Sequence, residues 1–211
     1  MDVPEDRGRF YNDIAGGSRD RLAAISDGIF AVSMTLLVLG LVVPTVKEHE
    51  LASALAGLLP HVVTYVLSFM TLGIFWVGQQ TQLSRIERSD RDYTWIMLAF
   101  LLFVTLVPFS TQVLAAYYQS RLALVEYWLN ILVLGSILLA GAEYAARAGL
   151  FAEQAKQAIL SAVRRRVYGA QVLYLVAVAL CVIDTRLSIG LIVLIQLNYA
   201  IAPRVPWLRR L

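Results

Sequence analysis

The sequence predicts an all-α integral membrane protein with six transmembrane helices per subunit and both termini cytoplasmic. Three observations carry this. Of 211 residues, 59% are hydrophobic and 16% charged, where a soluble domain carries about 25% charge. Six apolar runs alternate with short polar connections. Fifteen of the 18 Lys and Arg residues would lie on one side of the membrane if every run crosses it.

Residues 1–20 form a polar arm in which Gly16-Gly17-Ser18 reads as a joint, with Ser18 or Asp20 as helix N-cap. The first span covers 21–43 and stops before Pro44; from Leu22 it offers about 33 Å of helix, one hydrocarbon thickness. A second run covers 53–80, with Pro60-His61 near its start and Trp76, Gln79 and Gln80 near its end. The third covers 94–117 and contains Pro108, a predicted kink. The fourth covers 123–146, and the connection 147–166 has the pattern of an interfacial amphipathic helix ending in Arg164-Arg165-Arg166. Short fifth and sixth spans follow, over 167–183 and 187–202. The expected organisation is a cytoplasmic arm 1–20, a six-helix transmembrane domain 21–203 and a cytoplasmic tail 204–211.

Charge supplies the orientation. The arm carries Arg7, Arg9, Arg19 and Arg21, the second connection Arg85, Arg88 and Arg91, and the fourth Arg147, Lys156 and Arg164–Arg166. The tail adds Arg204, Arg209 and Arg210, leaving Lys47, Arg121 and Arg186 for the opposite side. Basic residues between spans rather than in a stripe argue against nucleic acid as a partner and for the lipid bilayer. Lone Cys181 excludes an intrachain disulfide, and the polar first twenty residues do not read as a cleavable signal peptide. No Cys/His/carboxylate cluster has metal-ligand spacing, and neither a P-loop nor a Gly-x-Ser-x-Gly nucleophile motif occurs. The expectation is therefore no enzyme and no metal site. Glu126 and Glu143, near the two ends of the fourth span, read as carboxylates snorkelling to water.

Asp27 is the exception that points to function. It lies a turn or more inside the first span, where an ionisable group costs about 2.5–3.5 kcal/mol even on mild insertion scales. Arg21 is six residues away, about 240° round the helix, and cannot face it in the same chain. Donors at its depth are Trp76, Gln79, Gln80 and Arg21 of a neighbouring copy. Either a polar clasp between helices or a direct role in binding an ion or proton would explain it. The same helix carries a stripe: Gly28, Val32, Thr35 and Leu39 follow at intervals of four, three and four, on one face. Such a stripe is a helix–helix seam or the wall of a narrow cation path, and periodicity leaves both open.

Arg21…Ser26-Asp27-Gly28 is similar to the Arg-x-x-x-Phe-Ser-Asp signature of the bacterial relatives of the endo-lysosomal potassium channel. The resemblance continues through Ser68-Phe69…Phe75-Trp76 and Leu101-Leu102-Phe103-Val104…Pro108-Phe109. It departs at Ile25, where the signature has Phe, and at Gln79 and Gln80, where relatives tend to carry His. The resemblance implies a homotetramer around four copies of the first helix, with Val32 as apolar constriction, Thr35 as polar ring and Leu39 as second apolar ring. It implies potassium ions as the permeant species, no cofactor, passive conduction of monovalent cations and a place in the bacterial cytoplasmic membrane. The rival reading is a proton-coupled small-solute transporter using Asp27, for which the sequence shows neither inverted repeats nor broken helices.

Overall fold

The computed structural model describes residues 19–152 and 155–201. The arm up to residue 18, with its joint and Ser18 cap, and the tail 204–211 lie outside them. Seven α-helices follow one another: α1 Arg19–Leu36, α2 Leu51–Gly57, α3 Leu59–Leu83, α4 Arg91–Ala116, α5 Arg121–Arg147, α6 Lys156–Ala179 and α7 Thr185–Ile201. Among the described residues, five helical stretches are long and apolar enough to cross a membrane: Arg19–Gly40, Leu59–Leu83, Arg91–Ala116, Arg121–Arg147 and Lys156–Val182. Thr185–Tyr199 is apolar but shorter.

Local chemistry explains where the helices start and stop. Asp90 caps α4 by accepting from Tyr93 N at 2.8 Å, and its second oxygen accepts from Tyr144 of α5, also at 2.8 Å. At the end of α5, Gly149 takes φ 66°, a conformation that costs a glycine little, and Leu150 N returns to Ala145 O at 2.9 Å. That turn brings Phe151 against Ile86 in an isolated antiparallel bridge, which ties the two polar connections together.

Three boundaries differ from the sequence expectation. The first span keeps α-helical form only to Leu36 and then tightens into a 3-10 turn over Leu37–Gly40. Gly40 and the β-branched pair before Pro44 resist further helix, since a residue preceding proline is pushed towards extended backbone. The second run is broken at Leu58: Gly57 ends α2, and Pro60 opens α3, in whose first turn its missing N–H costs nothing. The expected interfacial helix over 147–166 is not a separate element. Its apolar positions Leu160 and Val163 continue into Val167, Ala170, Tyr174 and Ala177 without a proline, so one helix runs from Lys156 to Ala179 and contains Arg164–Arg166.

The core is built around α4 and α5, which pack along each other and carry the largest buried shares of the spans. One apolar cluster joins Leu67, Tyr127, Tyr174 and Ile192 from α3, α5, α6 and α7. Another joins Phe30 and Leu37 to Leu72, Phe100, Val104 and Leu134, and so seats α1 against α3, α4 and α5. Within the first, polar groups pair with one another. Thr71 Oγ1 lies 3.0 Å from Tyr127 Oη and accepts from Gln196 Nε2 at 2.5 Å, while Thr111 donates to Ser68 Oγ at 2.6 Å. Hydroxyls and an amide buried in an apolar bundle must find such partners or lose the full cost of desolvation.

Candidate ion pathway and the polar clasp beside it

α1 has two chemically different faces. Leu22, Ser26, Phe30, Ser33 and Leu37, at intervals of four, four, three and four, are buried against the bundle. Phe30 meets Phe100 with ring centroids 6.1 Å apart. Across the helix, Gly28, Val32, Thr35 and Leu39 are all exposed, Val32 to 57% and Leu39 to 67%. A Cβ placed on Gly28 would meet no heavy atom within 4 Å. Among the described residues of one subunit, no second helix buries this stripe. The seam reading therefore finds no covering helix among the described residues.

The stripe is not straight along its whole length. From Gly28 to Thr35 the α-helical period holds its residues on one face. The 3-10 turn then advances about 120° per residue rather than 100°, which carries Leu39 roughly 60° further round than a continuing α-helix would. Thr35 sits just before this change. Its hydroxyl donates to Val32 O at 2.8 Å, so the Oγ1 lone pairs remain to accept from, or coordinate, whatever lies outside the helix.

On the flank between the two faces stands Asp27. Trp76 Nε1 donates to Asp27 Oδ1 at 2.8 Å and Gln80 Nε2 donates to the same oxygen at 2.6 Å. Gln79, which the sequence offered to Asp27 as a donor, is instead turned to the fully buried Ser26 and donates to its Oγ at 2.7 Å. Ser26 in turn donates to Leu22 O at 2.8 Å. Adjacent residues on each helix thus make two parallel links between α1 and α3. Gln79 is one step, about 100°, behind Gln80, and Ser26 stands in the same relation to Asp27. Arg21 is on the exposed side of α1, away from Asp27 as its spacing requires.

Two carboxylates read as snorkelling to water also meet neighbouring helices, Glu143 in an exposed ion pair. Glu126 Oε1 accepts from Ser110 of α4 at 2.8 Å, and Asn130 donates to the same serine at 3.1 Å. Glu143 Oε1 takes Arg164 Nε of α6 at 2.5 Å, and its other oxygen lies 3.6 Å from Arg147. These cross-helix partners come from residues 16 and 21 positions away, which spacing within α5 could not reveal. The buried network of Ser68, Thr71, Thr111, Tyr127 and Gln196 also escaped the sequence reading. Its one signal was polar residues three apart, Ser68 and Thr71, inside an apolar run.

A bundle of apolar helices with a polar clasp behind one exposed helix face defines a multi-span α-helical membrane protein. Residues 21–108, from Arg21 of α1 to Pro108 of α4, match the family model described as endosomal/lysosomal potassium channel TMEM175. A potassium channel of Chamaesiphon minutus is 33% identical over 188 residues, 86% of this chain and 93% of that one. The crystal structure of a lysosomal potassium-selective channel TMEM175 homolog from Chamaesiphon minutus superposes with a TM-score of 0.77 at 30% identity, covering 89% of this chain and 98% of that one. The endosomal/lysosomal proton channel TMEM175 of Homo sapiens is 28% identical over 109 residues, 47% of this chain and 22% of its own length. The chain belongs to the TMEM175 family.

Proposed function

We propose that this protein is a potassium-permeable cation channel that conducts passively through a tetrameric pore lined by α1. The observation that carries the reading is the exposed stripe of α1 and the 3-10 turn after it: Gly28, Val32, Thr35 and Leu39 are exposed among the described residues of the subunit while the opposite face is packed. Four such faces around an axis would satisfy one another without a further element, as a closed ring of identical subunits requires. In that ring Val32 forms an apolar constriction, Thr35 a ring of hydroxyl oxygens and Leu39 a second apolar ring. Apolar rings resist wetting, and oxygens between them replace part of the hydration shell of a potassium ion. The hydrogen bond from Thr35 to Val32 O supports this role, because it turns the hydroxyl into an acceptor towards the axis. The potassium channel from Chamaesiphon minutus, matched over nearly its whole length, supports the choice of ion.

The chain crosses the membrane six times, with Thr185–Tyr199 as the short last crossing, and the arm 1–20 and tail 204–211 lie in the cytoplasm. Residues 21–203 form the channel domain, in the cytoplasmic membrane of a bacterium. Asp27, Trp76, Gln79, Gln80 and Ser26 hold α1 against α3 and fix the angle at which the stripe is presented; Arg21 of the signature lies on the face towards the neighbouring subunit. Two donors converging on one oxygen of Asp27 suit a structural clasp better than a proton carrier, which counts against the coupled transporter. Thr35→Val tests the assignment, since it removes the hydroxyl at nearly constant volume. Reversal potentials in mixed potassium and sodium should lose their potassium preference, or current should fall. Unaltered permeation in that variant would place Thr35 away from the ion.

A further inference from the structure

Away from α1, a cavity of about 450 Å³ lies between α3, α5, α6 and α7. It is long rather than round: its α3 wall runs from Thr71 to Arg85, about 21 Å of helix, and its α6 wall from Ala155 to Tyr174. Ile74, Phe75, Leu138, Val163, Val167 and Ala170 are among its apolar lining. Thr81, Ala158 and Ala162 are exposed at its mouth. Only two lining side chains carry charge, Arg85 just beyond the end of α3 and Arg166 on α6. Among the described residues neither makes an ion pair. Arg166 owes its direction to a neighbour: Glu143 claims Arg164, and two positions on, about 200° round the helix, Arg166 turns to the cavity.

An elongated apolar slot lined by two guanidinium groups, Arg85 at the end of its α3 wall and Arg166 partway along its α6 wall, suits an amphiphile with an anionic head. Guanidinium groups form paired hydrogen bonds to phosphate, and basic pockets between membrane helices take lipid head groups. We infer that this cavity binds one anionic phospholipid of the surrounding bilayer, its phosphate held by Arg85 and Arg166 and an acyl chain lying along α6 towards Tyr174. The site is separate from the α1 stripe and stands or falls independently of which helix lines the pore. Its effect is to tie the lipid leaflet to α3, the helix that also holds Asp27.

The test uses the full chain in mild detergent, titrated with phosphatidylglycerol or phosphatidylcholine and read by native mass spectrometry as lipid retained per subunit. Phosphatidylglycerol should be retained in preference to phosphatidylcholine. The double variant Arg85→Gln/Arg166→Gln should weaken phosphatidylglycerol by roughly tenfold to thirtyfold, to the level of phosphatidylcholine. Arg85→Lys/Arg166→Lys should restore part of the preference, and Ala162→Trp, at the exposed mouth, should block both lipids. Equal retention of the two lipids by the unaltered protein would overturn the proposal. So would wild-type retention in Ala162→Trp, which would put the lipid elsewhere on the surface. Displacement of the lipid by inorganic phosphate alone would refute the acyl-chain half. If the unaltered protein retained no phospholipid but a chain ending at residue 201 did, the slot would belong to the protein's own tail.

Discussion

Asp27 and Ser26 divide the work of joining α1 to α3 according to their depth. Ser26, fully buried, takes the neutral amide of Gln79; Asp27, on the edge of the exposed face, takes both Trp76 and Gln80. A hydrogen bond to a charged acceptor is stronger than one between neutral groups, and solvent weakens it at an exposed site such as Asp27. Trp76→Phe keeps most of the ring and removes the N–H, so it should lower the thermal midpoint of the assembly while Gln80 still holds the carboxylate. Asp27→Ala removes the acceptor from both donors and should cost more than Trp76→Phe. Equal midpoints in all three proteins would mean that the clasp contributes nothing measurable. Gln79→Leu probes the buried half: it strips Ser26 of its donor and should destabilise by about 1–3 kcal/mol, read as a shift in the denaturation midpoint.

At the scale of the helices, how much was legible depends on whether an element's limits are set locally. α4 begins at its Asp90 cap and α5 ends just before Gly149, signals that lie beside them in sequence, and both helices were placed to within a few residues. The exposed face of α1 and two of the donors to Asp27, Trp76 and Gln80, were legible too, because a 3.6-residue period and a depth in the membrane constrain which side chains can meet. The 3-10 turn over Leu37–Gly40 was not, since an apolar run reads the same whether it closes three- or four-residue turns. Nor was the fate of Arg164–Arg166. A basic cluster suggests a connection, but Glu143 on α5 holds Arg164, and an uninterrupted helix carries the cluster along. Glu143→Gln weakens that hold. An exposed ion pair adds little to stability, so the midpoint should change little, while trypsin should cut faster after Arg164. Protection unchanged from the unaltered protein would show that α6 is seated by its apolar face alone.

At the scale of the whole molecule, the proposed function rests on two arrangements, six crossings and a ring of four. Single cysteines in a Cys181→Ser background test the first. A membrane-impermeant thiol reagent added to sealed cells should modify Glu48→Cys and Ser120→Cys but not Ser89→Cys or Ala155→Cys. Labelling of Ser89→Cys from outside would invert the topology and remove the basis for the depth of Asp27. Mass measurement in mild detergent tests the second, with a tetramer expected and a conducting monomer decisive against it. Stripe and assembly meet at Val32, where pathway and packing make opposite demands. If four copies of Val32 surround water and ions, an amide there eases wetting and leaves the ring intact. If they form a dry seam, each subunit buries an unsatisfied amide at about 1–3 kcal/mol, and the ring loosens. The most direct measurement is therefore bilayer potassium current from purified Val32→Asn, taken with the oligomer mass of the same sample: a larger current from an intact tetramer is the predicted result, and loss of the tetramer, or an intact tetramer whose current is unchanged, would contradict a pore lined by α1.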